Sequence, residues 1–150
     1  MTEASIAAAP AWNDDLATGV PMLDQQHQAL FFCVAELERA ATERTMLSTF
    51  HAMEQLSRYA REHFAAEERL MRMGGYPDIE EHIEAHDDFR HRLVELRRSY
   101  LDHDISTDLI ALLRAWLEAH VQKTDMDYVP YLARMRNCRR AATECQEEAR

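Results

Sequence analysis

Four stretches of the chain carry apolar residues at alternating spacings of three and four, the pattern of helices that bury one face. From about Asp24 to Ala41 the stripe is His27, Leu30, Val34, Leu37 and Ala41; in the second stretch it is Met53, Leu56, Ala60, His63, Glu67 and Leu70. The third opens after the break Gly74-Gly75-Tyr76-Pro77, where Pro77 ahead of Asp78 signals a helix start. Its stripe runs Ile79, His82, His86, Phe89, Leu93, Leu96 and Tyr100. The fourth begins near Ser106-Thr107-Asp108 and turns Leu109, Leu112 or Leu113, Trp116 and His120 inward. Helices of roughly 18–27 residues span about 27–40 Å each, and short connections join them. The pattern therefore predicts an all-α fold, an antiparallel up-down-up-down four-helix bundle. Ahead of it, Trp12 to Leu23 reads as an irregular N-terminal lead-in broken by Gly19 and Pro21, and residues 1–11 as a flexible tail. The bundle is expected over residues 12–131, with 132–150 as a C-terminal extension.

Composition narrows the class. Three Gly and four Pro in 150 residues are too few turn formers for an all-β chain, and one core suffices at this length. A formal net charge of -10 repels phosphate backbones and anionic lipid, so no nucleic-acid partner is expected. No window approaches the roughly 18 uninterrupted apolar residues of a membrane span, and Met1–Trp12 lacks the basic start of a secretory signal. A cytoplasmic protein without membrane insertion is expected, acting as a monomer. Three cysteines cannot all pair within one chain, which fits reduced thiols. On a helix Cys138 and Cys145 stand about 10.5 Å apart, too far for a bond within it, which leaves oxidation between chains open. Cys33 flanks the first stripe and is expected to be a buried thiol.

The chemistry lies in the polar residues on the apolar stripes: His27, His63, Glu67, His82, His86 and His120. Any one of them reads as an ordinary hydrogen-bonded core residue. As a set, left unsatisfied at about 1–3 kcal/mol each, they would cost on the order of 10 kcal/mol, comparable to the stability of a whole domain. Metal satisfies them together. His63 with Glu67 and His82 with His86 are i, i+4 pairs whose side chains can reach one ion. Asp125 belongs with them, but five residues after His120 it lies about 140° round a regular helix, so a widened, π-type turn between the two is predicted. Five imidazoles and two carboxylates exceed one tetrahedral zinc, and a dinuclear iron centre fits the donor set best. Ferritin-like di-iron oxidases are the nearest rival, but their pattern is Glu-rich.

The run Trp12, Thr18-Gly19-Val20 and Leu23-Asp24-Gln25-Gln26-His27, then His63-Phe64, Glu67-Glu68 and Leu70-Met71, Tyr76-Pro77, His82 and His86, and finally Trp116-Leu117, His120 and Asp125, resembles the hemerythrin family in its bacterial form, the bacteriohemerythrins with their HHE cation-binding domain. The resemblance covers residues 12–131. It implies two non-haem iron ions with an oxo or hydroxo bridge and dioxygen as ligand. By that resemblance His82, His86 and His120 complete one iron, His27 and His63 hold the other, and Glu67 and Asp125 bridge both. The iron with two histidines is one ligand short, and dioxygen would bind there.

A dry pocket would protect such a site, and Leu30, Phe64, Trp116 and Leu117 are expected to line it; each also reads as plain core packing. Tyr128 would either hydrogen-bond a carboxylate ligand or cap the core. His51, His91, His103 and Glu68 fall off the stripes and are expected at the surface. The function expected is reversible, non-enzymatic dioxygen binding for transport, storage or delivery, with a protein that receives the oxygen as a further partner. The alternatives are a sensor of oxygen, nitric oxide or redox state using the same site, a di-iron enzyme, and iron storage.

Overall fold

Residues 10–43 and 46–148 are described in the structure, a computed structural model, and form helices without a strand among them. The tail expected over residues 1–11 lies almost wholly outside the described residues. A short 3₁₀ turn, Asp14–Leu16, starts where the Asn13 side chain accepts the Asp15 amide at 2.9 Å. Asp24 then accepts from the Thr18 amide at 2.7 Å and the Thr18 hydroxyl at 2.8 Å, tying the lead-in to the first helix. Gly19 takes a φ of 78°, and the Arg136 guanidinium fills the place where a side chain would stand, donating to the Gly19 carbonyl.

Helix α1 spans Pro21–Glu43, α2 Met46–Gly74 and α3 Ile79–Ser99. The fourth rod is made of α4 (Ser106–Trp116), a π-helical segment (Leu117–Thr124) and α5 (Asp125–Glu148). Helix α1 packs against α2 and α4, and α3 against the same two, so the rods form a ring in chain order. This is the all-α four-helix bundle the periodicity predicts.

The ends differ in detail from expectation. The lead-in gives way to helix at Pro21, a residue whose fixed φ suits the first helical position. Asp78 precedes α3 but makes no side-chain capping bond. The turn between α2 and α3 closes instead on Gly75 at φ 66°, with the Tyr76 amide bonding Met71 and the Gly75 amide bonding Arg72, a Schellman stop. Ala40, not Ala41, takes the last core position of α1, and Met71 is buried where Leu70 is only half covered. A helix turns every 3.6 residues, so a stripe read at alternating threes and fours drifts off the core by its end. Helix α5 crosses residue 131 unbroken, with Leu132 fully buried.

Two apolar clusters fill the bundle. The larger holds Leu30, Val34, Leu37, Met53, Leu56, Phe64, Phe89, Leu93, Leu109 and Leu113; the smaller holds Leu23, Met71, Tyr76, Tyr128 and Leu132. Along every rod the buried histidines and acids fall where the two meet. A polar layer is thus closed above and below by apolar side chains.

Candidate metal centre

Each rod delivers its polar residues to this layer: α1 supplies His27, α2 His63 and Glu67, α3 His82 and His86, and the fourth rod His120 and Asp125. None of the seven is more than 4% exposed. The widened turn expected in the fourth rod is present. The Asp125 amide bonds the His120 carbonyl across five residues, which swings Asp125 onto the face of His120 and brings its Oδ1 to 2.9 Å from the His120 Nε2.

The seven side chains divide into two groups that share the carboxylates. His27 and His63 approach Nε2 to Nε2 at 3.0 Å, with Glu67 Oε1 at 3.5 Å from His63 and Asp125 Oδ2 at 3.2 Å from His27. Opposite them, Nε2 of His82 lies 3.1 Å from that of His120. Glu67 Oε2 stands 3.1 Å from His86, and Asp125 Oδ1 stands 3.3 Å from His82. One oxygen of each carboxylate faces the two-histidine group, and the other faces the three-histidine group.

The donor chemistry fits a cation between these atoms. His86 directs Nδ1 to Glu68 Oε1 at 3.0 Å, and a carboxylate can only accept, so the ring donates there. His63 donates likewise to Gln26 Oε1 at 2.7 Å. With Nδ1 so engaged, each ring turns its Nε2 inward. His86 Nε2, Glu67 Oε2 and both Asp125 oxygens are buried with no hydrogen-bond partner. Imidazole and carboxylate lone pairs converging at about 3 Å repel one another unless protons or metal ions lie between them. Two groups of residues can each enclose an ion, Glu67 with His82, His86 and His120, and His27 with His63, Glu67 and Asp125.

Electrostatics follows from the same contacts. Burial alone would lower the His82 imidazole, but the carboxylates of Asp125 and Glu67 that face it hold it up to about 9. Burial also works against His27, yet Asp125 and Glu67 raise it above its ordinary value. His120 is pushed down by burial. Burial would raise both carboxyls; the surrounding histidines hold Glu67 and Asp125 well below the usual carboxylate range.

Aromatic rings fix the imidazoles. Phe64 lies flat on His86 at 3.9 Å and Trp116 flat on His120 at 3.8 Å, so these two expected pocket residues cover the three-histidine group. Leu30 and Leu117 are buried in the same apolar cluster. On the other side Tyr59 stacks on His63 at 4.6 Å. Tyr128 resolves to one of its two readings, donating its hydroxyl to Glu67 Oε1.

Glu68 corrects an expectation. Its side chain is only 14% exposed and accepts from both His86 and Arg90. Periodicity points it sideways, and α2 and α3 pack closely enough for that side to be an interhelical groove. Gln26 and Tyr59 were not singled out as site residues from the sequence. Gln26 and Glu68 each adjoin a ligand candidate in the chain, and such neighbours can reach the outer nitrogen of a histidine on the next rod. His51, His91 and His103 are exposed, as expected.

The model of the hemerythrin HHE cation binding domain family matches residues 18–132. The chain is 34% identical to the bacteriohemerythrin of Stenotrophomonas maltophilia over 118 residues, 78% of this chain and 77% of that protein. It is 34% identical over 119 residues to the bacteriohemerythrin of Pseudomonas aeruginosa, covering 79% and 78%. It is 27% identical over 117 residues to the myohemerythrin of Riftia pachyptila, covering 78% and 88%.

Proposed function

The chain belongs to the hemerythrin family, and on that premise we propose that it binds dioxygen reversibly at a pair of non-haem iron ions, as a carrier, store or supplier of oxygen rather than as an enzyme. The observation that carries this reading is the division of Glu67 and Asp125, each offering one oxygen to either histidine group. Carboxylates so divided suit two ions held a few Å apart. His82, His86 and His120 would hold one iron, and His27 and His63 the other.

When bound, such an iron pair supplies the two electrons that dioxygen takes up on binding and gives back on release. The chain's own part is to hold the ligands and keep water out. Gln26 and Glu68 set which ring nitrogen of His63 and His86 faces inward. Phe64 and Trp116 prevent the His86 and His120 rings from turning. With one histidine fewer, the group of His27 and His63 would leave its ion a coordination position for the ligand. Leu30, Phe64 and Leu117 would form the apolar wall that keeps water and anions from that position, while Trp116 lies against His120 in the three-histidine group. No helix among the described residues is long and apolar enough to cross a membrane. The reading takes the protein to be cytoplasmic, where its free thiols stay reduced.

The test is iron content with the visible spectrum of the anaerobically reduced protein, before oxygen, after oxygen, and after purging with inert gas. Two irons per chain and a charge-transfer band that comes with oxygen and leaves on purging are expected. A band that decays to an oxidised form beyond recovery by purging would overturn the carrier reading and favour a sensor or enzyme.

A further inference from the structure

Tyr59 sits one helical turn before His63 on α2, and its ring lies flat on that imidazole at 4.6 Å with 14° between the planes. Phe64 meets the same ring edge-on at 5.7 Å. Together with Leu30, Cys33 and Leu56 the ring also lines a cleft of about 620 Å³ between α1 and α2. Tyr59 therefore stands beside two residues of the apolar wall, Leu30 and Phe64, and against the two-histidine group.

A phenylalanine would make all of these contacts. What Tyr59 adds is a hydroxyl, and that hydroxyl is buried without a hydrogen-bond partner. The acceptors of the centre do not satisfy it: Glu67 Oε1 accepts from Tyr128, and the Asp125 oxygens make no hydrogen bond at all. The Trp116 indole N–H approaches the Tyr59 oxygen without closing a hydrogen bond, and an indole nitrogen only donates, so it gives the phenol proton no acceptor. Burial first, then the charges of Glu67 and Asp125, keep the phenol protonated, so the oxygen always has a proton to give. Stacking on His63 and the edge of Phe64 hold the ring in place. A buried donor held open in this way costs stability, and native folds carry few of them.

We propose that Tyr59 is a ligand-binding residue of this centre, its hydroxyl donating a hydrogen bond to the outer atom of a small ligand held by the ion of His27 and His63. The inference rests on the metal pair read above and adds to it a residue that selects the ligand. The class selected has two or three atoms and an outer atom that accepts a hydrogen bond and carries negative charge when bound. Azide belongs to this class from the start, and dioxygen joins it on taking up charge. A hydrogen bond to a charged acceptor is of the stronger kind, and it is stronger still away from water.

Azide is the probe for the test, applied to the oxidised, iron-loaded full chain, wild type against Tyr59→Phe, which keeps the ring and removes the oxygen. Iron content is measured first and is expected to be equal in the two. The azide dissociation constant should then rise roughly 10–100-fold in Tyr59→Phe, the loss that goes with one hydrogen bond to a charged atom. The stretching band of bound azide should shift in heavy water for the wild type and stay in place for Tyr59→Phe. Equal azide affinity at equal iron content would overturn the proposal and leave the hydroxyl to a structural water. A heavy-water shift that persists in Tyr59→Phe would overturn it by placing the donor elsewhere, and lower iron in Tyr59→Phe alone would do so by assigning Tyr59 to holding metal. Absence of iron from the wild type would refute the metal reading itself, and this inference with it.

Discussion

Gln26 on α1 accepts the Nδ1 proton of His63 on α2 at 2.7 Å, so the amide of one rod decides which nitrogen the imidazole of its neighbour turns toward the carboxylates. Glu68 does the same for His86 across α2 and α3 at 3.0 Å, with a charged acceptor in place of a neutral one. Partners of this kind orient a ligand and raise its basicity, and their loss typically costs about 10–100-fold in metal affinity. Gln26→Leu and Glu68→Leu are expected to fall in that range in a chelator competition. Glu68→Gln, which keeps an acceptor but loses the charge, should fall less. Unchanged affinity in both leucine variants would remove the orienting role.

Tyr128 and Tyr59 form a matched pair. Both hydroxyls are buried beside Glu67 and Asp125, and burial first, then those charges, pushes both well above the ordinary tyrosine value. Tyr128 donates to Glu67, whereas the Tyr59 hydroxyl has no acceptor. A hydrogen bond to a charged group contributes about 1.5–3 kcal/mol, whereas a buried hydroxyl without a partner costs stability. In thermal unfolding of the metal-free protein, Tyr128→Phe is expected to lose stability in that range while Tyr59→Phe loses none. Equal losses would show that packing, and not the hydroxyls, sets the difference.

The bundle was legible because burial at a helix is an angle, and angle is what spacing along the chain records. The same reasoning exposed the centre: His27, His63, Glu67, His82, His86 and His120 stand where that angle demands apolar residues. Even the π segment was legible, since Asp125 could join His120 only if the turn widened. Glu68 was misplaced for a different reason. Its exposure depends on how closely α3 approaches α2, a distance between rods on which periodicity along one rod is silent. The Gly19 loop is similar, held by Arg136 from 117 residues away.

Metal uptake is expected to release protons at neutral pH. In the metal-free protein His82 is held up to about 9 and so carries its proton at pH 7. A cation needs the neutral imidazole, so that proton must leave on binding. Above pH 9 it is already gone, and release from this group should vanish. The sign for stability runs accordingly. The pairing of His82 stabilises the metal-free fold fully below its ordinary value of 6.5 and is lost as pH rises through about 9. Glu67 and Asp125 are depressed, so their contribution is present above ordinary values of 4.5 and 3.8 and is lost on acidification. Metal-free protein should melt highest between about pH 5 and 7. Indicator-dye titration and a melting series check the two halves; uptake at pH 7 without proton release would refute the first.

Glu67 offers the sharpest distinction between one shared centre and two separate ones. Its Oε1 faces His63 at 3.5 Å and its Oε2 faces His86 at 3.1 Å, so removing this side chain withdraws a donor from both histidine groups at once. Changing His63 withdraws a donor from one group only. Glu67→Ala is therefore expected to abolish magnetic coupling between irons and to lower the iron content of both groups, whereas His63→Ala should leave the group of His82, His86 and His120 able to hold metal. Loss of this buried carboxylate also strips Tyr128 and the protonated His82 of a partner, so the metal-free Glu67→Ala protein should melt lower than its metal-free parent while keeping its helical far-ultraviolet spectrum below that melt. That comparison separates failure to bind from failure to fold. Iron analysis with Mössbauer spectroscopy decides the matter: two coupled irons in Glu67→Ala would exclude Glu67 as a bridge and leave Asp125 to join the halves alone.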